Sequence, residues 1–342
     1  MARATITMED EIVESLSASE SCTACGSSGI VSTPYLHASY ESEALFEDLE
    51  IHFCSDCGFG WSWPECDATV LDDFYRRHYR TPKLAAIDYR RLRKPVVASR
   101  RAIAQLLLAV QHTEFRPGEM MVDFGPGGGA SFSAACQVLD NPELGAVELN
   151  AGAAEGYYRL YGAQTHGDLE TLIKSGARPK ITLASHSLEH IRLGDLSNFL
   201  SRVFSLMAPG GVFVAEVPNV DMRFHREKRV HDDPHLLFLS RESLGRIFMN
   251  AGLDTVFVNT CSTLRETWWA TVVEKSRQAD LGVMRSTFSR LPVGVQTSLL
   301  RKYHAIRRDN FDFDSDEFRY GGDRLCLRVV ATKPPYLSAN SD

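Results

Sequence analysis

The chain has 342 residues, 44% of them hydrophobic, and a formal net charge of −7. That is enough apolar material for a full α/β core plus a smaller module. The acidic balance argues against a nucleic-acid partner, whose phosphates call for a basic patch, and no run approaches the ~20 apolar residues of a membrane span.

Residues 1–20 are polar and rich in Ser and Glu, a lead-in without the continuous apolar core of a signal peptide. The expectation is a soluble, cytoplasmic protein whose eight cysteines stay reduced and act as metal ligands or buried hydrophobes. Residues 21–67 form a small module holding five of those cysteines and β-like runs such as LEIHF at 49–53. Cys22-Thr-Ala-Cys25-Gly and Cys54-Ser-Asp-Cys57-Gly are paired C-x-x-C-G turns, with 28 residues between Cys25 and Cys54. Each turn brings two thiolates within reach of one ion, and the glycine lets backbone N–H groups face the sulfurs. Two such turns complete a closed tetrahedral sulfur shell, which suits structural Zn²⁺. An Fe–S cluster, a redox pair or a metal-free module are the alternatives.

Residues 68–118 read as a helical linker or lid, with apolar residues at three- and four-residue spacing in DATVLDDFYRRHY and PVVASRRAIAQLLLAVQ. Pro95 suits a first helical turn. The basic cluster Arg90, Arg91, Arg93 and Lys94 reads as a solvated helix face. From 119 to 334, strand and helix patterns alternate, which implies a mostly parallel, doubly covered sheet. Strands are expected at 120–124, 144–148, 163–166, 180–185, 211–217 and 253–260, with helices at 195–207 and 240–251 between them. An insertion at 275–322 precedes a detached last strand at 324–332, and 335–342 is a tail.

The stretch MMVDFGPGGGASFSAA, 120–135, is a strand, a glycine turn and a helix start. Its glycines serve a sharp turn, a close ligand approach and tight helix packing, and the helix start offers N–H groups to an anionic group. Gly125, Gly127 and Ala130 fit G-x-G-x-x-A, and Glu148, 23 residues after Gly125, is placed to accept ribose hydroxyls. Both NAD and S-adenosylmethionine carry such a ribose, so the turn leaves both open.

The segment LASHSLEHIRLGDLSNFLSRVFSLMAPGGVFVAEVPN, 183–219, breaks the tie. Together with Asp123-x-Gly125-x-Gly127-x-Gly129, it resembles the class I S-adenosylmethionine-dependent methyltransferases. The resemblance covers about 120–260 and resumes at 323–334. It implies a Rossmann-like seven-stranded sheet with its last strand antiparallel. It assigns cofactor contacts to Asp123, Gly125, Gly127, Gly129, Glu148, Asp168, Leu169 and Ser185, while Tyr75 and Tyr79 can cap the pocket from the helical segment. An N-terminal Cys₄ module ahead of such a domain is similar in layout to zinc-containing sugar C-methyltransferases. Those enzymes tend to carry a Glu-His pair after strand five, where this chain reads Pro234-His235, and they carry a further C-terminal domain.

Methyl transfer needs a positioned nucleophile and often a base. In open α/β sheets such groups lie at the carboxyl ends of strands. Catalytic candidates there are His235, then His231 and His186, with Glu189 bracing the loop. The expected acceptor is a small molecule, such as a sugar nucleotide or a natural-product intermediate. The alternatives are an NAD-dependent oxidoreductase and a non-catalytic zinc-ribbon interaction protein.

Overall fold

The computed structural model describes residues 21–37, 48–77, 98–221, 230–231, 235–261, 288, 290–309 and 325–335. Among these, the main sheet has seven strands, in the order β12-β13-β9-β8-β5-β6-β7. Its parallel part comprises β5 (Met120–Phe124), β6 (Glu143–Val147), β7 (Gln164–His166), β8 (Pro179–Ser185) and β9 (Val212–Pro218). The last strand, β13 (Cys326–Thr332), inserts antiparallel between β9 and β12 (Asp254–Cys261). The expected strands thus appear within one or two residues of their sequence boundaries, and the detached strand takes the antiparallel place.

The central strands are mostly apolar because both faces are covered. Alternate residues of β9 serve opposite layers. Phe213, Ala215 and Val217 join a core with Leu196, Leu200, Val203 and Phe248. Val212 and Val214 join a second core with Ile103, Leu106, Leu107 and Phe132. The second layer is built on α2 (Arg100–His112), whose residues 102–109 are all buried, and on α3 (Ala130–Val138). The first layer takes α6 (Leu193–Leu206) and α7 (Arg241–Asn250). Between them in sequence lie α4 (Ala151–Tyr161) and α5 (Leu169–Lys174), and α8 (Val293–Asp309), within the expected insertion, packs against α2 and α3.

The cysteine module does not stand apart. Its strands β1 (Ile30–Pro34), β3 (Glu50–Cys54) and β4 (Gly60–Trp63) are joined antiparallel by β11 (Leu237–Phe238), a strand from far down the chain. Trp61 and Phe59, fully buried, belong to the same core as Phe213 and Phe248. A second contact pairs β2 (Leu36–His37) in parallel with β10 (Val230–His231). After the module, α1 (Ala68–Arg77) carries the chain across the carboxyl edge of the main sheet. No helix among the described residues is long and apolar enough to cross a membrane.

Candidate functional site

Every parallel strand hands a polar or glycine residue to the same edge. Gly125 follows β5, Glu148 follows β6, Asp168 lies just past β7, His186 follows β8 and Asn219 follows β9. This is the edge where open α/β sheets bind ligands.

The turn after β5 takes three left-handed residues, at Gly125 (φ 72°), Gly127 (φ 56°) and Gly129 (φ 71°). Among the described residues, a Cβ at Gly127 or Gly128 would meet no atom within 4 Å. Asp123 lies under the turn, 2% exposed, and its Oδ1 has no hydrogen-bond partner. Burial pushes its carboxyl up to about 7. Glu148 Oε1 accepts from Asn150 N at 2.9 Å, and Tyr157, whose hydroxyl donates to Gly127 O, stands 3.3 Å from Oε2. Burial raises the Glu148 carboxyl as well. An orphaned buried carboxylate, an open glycine backbone and a second carboxylate one strand away fit the donor groups of an adenosyl sulfonium compound.

Asp168 caps α5, its Oδ1 accepting from Thr171 N at 2.7 Å. The residue is exposed, and the Thr171 hydrogen bonds hold the carboxyl below its ordinary range, helped by Lys174 and Arg76. Arg76 therefore places the end of α1 beside Asp168, while Tyr75 of the same helix lies 3.0 Å from His190 Nδ1. The end of α1 thus lies near both the β7 and the β8 loops. Leu169 is half-buried at the start of α5, and Ser185 Oγ accepts from Gln105 at 2.8 Å. Tyr79 lies outside the described residues. His231 is placed only as backbone, in β10.

The remaining histidines converge. His186 adopts φ 55°, a left-handed conformation rare for a residue with a Cβ. Its Nδ1 lies 3.3 Å from Glu189 Oε1 and its Nε2 3.6 Å from Glu216 Oε1. Burial works against its charge, but Cys326, Glu189 and Glu216 outweigh that and hold the imidazole well above 6.5. These contacts favour the charged form of His186, which works against its starting as an unprotonated base. His235 is different. A fifth exposed, it stands with Nε2 4.0 Å from Glu189 Oε1 and stacks edge-to-face on His190 at 5.1 Å. Its backbone carbonyl accepts from Tyr35 at 2.8 Å. Burial disfavours the charge on Glu189, yet His186, His190 and His235 together lower its carboxyl to about 2. Glu189 Oε1 thus stands within 4.0 Å of ring nitrogens of both His186 and His235.

Behind this cluster is a group that the sequence reading missed. Arg328 and Glu216, both fully buried, are register partners on β13 and β9 and form an ion pair through Glu216 Oε2. Arg101 reaches Glu216 Oε1 at 3.1 Å and Gln105 donates to Oε2 at 3.1 Å. The signal was present: one Glu and one Arg interrupt otherwise apolar strands, FVAEV and CLRVV, and such residues are buried only when paired.

On the far side, the four cysteine sulfurs lie within 4.8 Å of one another, with Cys22–Cys57 at 3.5 Å and Cys25–Cys54 at 3.6 Å. The sulfurs of a tetrahedral zinc shell with ~2.3 Å bonds stand about 3.8 Å apart, so the four are already nearly in place. Gly26 (φ 79°) and Gly58 (φ 67°) close the two turns with matching bonds, Gly26 N to Cys22 O and Gly58 N to Cys54 O. Of the other four cysteines, none of which forms a disulfide among the described residues, Cys66, Cys261 and Cys326 are buried and Cys136 is partly so.

Residues 89–258 match the family model of a methyltransferase domain. A sequence search of curated proteins finds no match. Among solved structures, the chain is similar to Haemonchus contortus phosphoethanolamine N-methyltransferase 2 bound to S-adenosyl-L-methionine. Identity is 13%, the TM-score is 0.43, and the match covers 77% of this chain and 60% of that one. A second structure of that enzyme is covered over 52% of its length, so this chain spans just over half of those relatives. It is also similar to the structure of the Haloferax volcanii Trm112 activator with a putative methyltransferase (13% identity, TM-score 0.43, 77% and 97% covered). A third is a SAM-dependent methyltransferase from Archaeoglobus fulgidus (15% identity, TM-score 0.40, 69% and 95% covered).

Proposed function

We propose that the protein is an S-adenosylmethionine-dependent methyltransferase acting on a small-molecule acceptor, with a structural zinc ion in its Cys₄ module. The observation that carries this reading is the carboxyl edge of the main sheet. There an open glycine turn over an orphaned Asp123, with Glu148 on the next strand, meets the His235–Glu189 cluster across two further strands. The antiparallel β13 supports the methyltransferase reading over a hydride-transfer one, since a dinucleotide fold builds this half of its sheet from parallel strands.

Gly125, Gly127, Gly129, Asp123, Glu148, Asp168, Leu169 and Ser185 would hold the cofactor, which supplies an electrophilic methyl group on a sulfonium. The α3 N-terminus offers its N–H groups to the carboxylate end, and Glu148 accepts from the ribose hydroxyls. The acceptor lies at the His235–Glu189 cluster. Bound at the glycine turn, the cofactor would supply its methyl group to the acceptor's lone pair, with the carbon–sulfur electrons remaining on sulfur. The acceptor's proton leaves to the cluster, where His235 is the exposed member beside a buried carboxylate. Helix α1, with Tyr75 on His190, shields the reaction from water. Among acceptors, the Cys₄ layout favours a sugar nucleotide or a natural-product intermediate, and the acidic balance disfavours nucleic acid.

Calorimetric titration with S-adenosylhomocysteine, with NADH in parallel, tests the reading. Micromolar binding of the former alone is expected, and binding of NADH alone overturns it. With an acceptor in hand, His235→Ala is expected to lower kcat by about 10²–10⁴ while leaving S-adenosylhomocysteine affinity unchanged. Full turnover would remove His235 from the mechanism.

A further inference from the structure

We propose that Cys261 and Cys326 are a peroxide-responsive dithiol at the carboxyl edge of the sheet, in which Cys326 is oxidised first and Cys261 closes a disulfide onto it. This site goes beyond the methyltransferase reading and does not rest on it.

The two cysteines stand opposite each other. Cys261 ends β12, Cys326 begins β13, and they are register partners on the antiparallel ladder. With Ala104 of α2 they form one buried cluster, so both side chains lie on the α2 side of the sheet. Partners on such a ladder have Cα atoms about 4.5–5.5 Å apart, inside the range of about 4.4–6.8 Å that a disulfide accepts. Their Cβ atoms stand about 4.5–5.5 Å apart, so the bond needs a closure of roughly 1 Å. The other two cysteines outside the Cys₄ cluster have no such placement, since Cys66 precedes α1 and Cys136 lies in α3.

The surroundings tell the two thiols apart. His186 Nε2 lies 3.8 Å from Cys326 Sγ. Burial works against the charge of this imidazole, and its contacts with Cys326, Glu189 and Glu216 outweigh that. Arg328, two residues along β13 and on the same face, pairs with Glu216, as does Arg101. His186, Arg101 and Arg328 thus set three positive charges against two carboxylates, Glu189 and Glu216. One positive charge is left over, and a Cys326 thiolate would balance it. A neighbouring cation favours the thiolate, which is the reactive form. Cys261 is fully buried, and that burial pushes its thiol well above 9. It suits the second step, in which the attacking thiol can still carry its proton. The His186 side chain is 27% exposed, which gives a small oxidant an approach past the imidazole to Cys326.

The Cys326 thiolate attacks one oxygen of hydrogen peroxide. The O–O bond breaks, the sulfur is oxidised to a sulfenic acid, and the leaving hydroxide takes up the proton that the thiol released. The Cys261 sulfur then attacks the Cys326 sulfur, and its proton leaves with the hydroxyl as water. Two thiols and one peroxide give one disulfide and two waters. The new bond ties the end of β12 to the start of β13 and takes the thiol away from His186. Because His186 Nδ1 lies 3.3 Å from Glu189 Oε1, the oxidation state of Cys326 reaches the carboxylate beside His235 through one side chain.

The test is peptide mapping by mass spectrometry of the full, folded chain after brief hydrogen peroxide treatment, alkylation of the remaining thiols and digestion. A cross-linked peptide joining Cys261 to Cys326 is expected, and dithiothreitol should reverse it. In Cys261→Ser, Cys326 should instead carry a sulfenic acid that dimedone traps. In His186→Gln, oxidation of Cys326 at neutral pH should slow about tenfold, and the difference should vanish near pH ~10, above the ordinary thiol pKa of ~8.5. Circular dichroism confirms that both variants fold. No cross-link in the folded wild type, or Cys326 bonded to a different cysteine, overturns the proposal. Failure of Cys261→Ser to yield the trapped sulfenic acid, or a His186→Gln rate equal to wild type at neutral pH, overturns the assigned order of the two thiols.

Discussion

Glu216 and Arg328 show what a single buried charge controls in this molecule. Each is fully buried in the middle of an apolar strand, and their partners run outward through His186 and Glu189 to His235. Removing one member of a buried pair leaves the other charge unsatisfied, typically at a loss of about 3–5 kcal/mol. Arg328→Met is therefore expected to lower the urea-unfolding free energy by about that amount, whereas the double variant Arg328→Met/Glu216→Leu should recover much of it. The pH dependence follows from the same contacts. Glu216 is held far below the usual carboxylate range despite its burial, by Arg328, His186 and Arg101. Its contribution is present above the unfolded carboxylate value and lost only as pH falls toward its depressed folded value. His186 is raised, so its contribution is complete below about pH 6.5 and fades as pH rises through its folded value. Unfolding free energies of the wild type and His186→Gln, compared from pH 6 to pH 10, should thus differ most at the acid end. A difference that grows with pH would show that His186 is not held as a cation.

At the scale of elements, the parallel strands and their helices were legible because each carries its own periodic or apolar signature. The strand at 120–124 matches to the residue, and the detached 324–332 run lies within two residues of β13 (Cys326–Thr332). The glycine turn was legible for the same local reason. What was not legible is long-range. β11 has only two residues, and nothing in LF announces that it will extend a sheet built nearly two hundred residues earlier. The convergence of His190 with Tyr75 is hidden likewise, because it depends on where α1 crosses the edge. Local legibility makes the turn a sharp test. At Gly127 an added Cβ meets no atom of the described residues within 4 Å, so Gly127→Ala should cost the fold mainly the left-handed strain of about 1–2 kcal/mol. The new methyl group would nonetheless stand in the open space where the cofactor is proposed to approach the backbone. Affinity for S-adenosylhomocysteine is expected to fall more than tenfold with a melting temperature lowered by only a few degrees, about what that strain gives for a chain of this size. Unchanged affinity would move the cofactor away from this turn.

For the molecule as a whole, the question is whether the cysteine module and the seven-stranded domain unfold together. The sequence marks a cysteine module at 21–67, and the contacts tie its described residues to the domain. β11 completes its sheet, Ser240 at the cap of α7 donates its hydroxyl to Cys57 O, and Asn250 at the other end of that helix donates to Ala24 O at 3.2 Å. The segment that supplies β11 also carries His235, and Leu236 is bonded on both sides, to Glu189 O and from Ser62 N. A metal held by the four cysteines would thus stabilise the far end of the same strand that presents His235 to the cleft. Removing it should not melt a small module in isolation. With a strong thiol-competing chelator, or in Cys57→Ser, scanning calorimetry is expected to show one cooperative transition at lower temperature, because the shared core of Trp61, Phe59, Phe213 and Phe248 ties the parts together. The wild type should contain close to one zinc per chain by elemental analysis. Two separated transitions, with the upper one at its wild-type temperature, would show that the module folds on its own and that His235 is positioned by the domain without it.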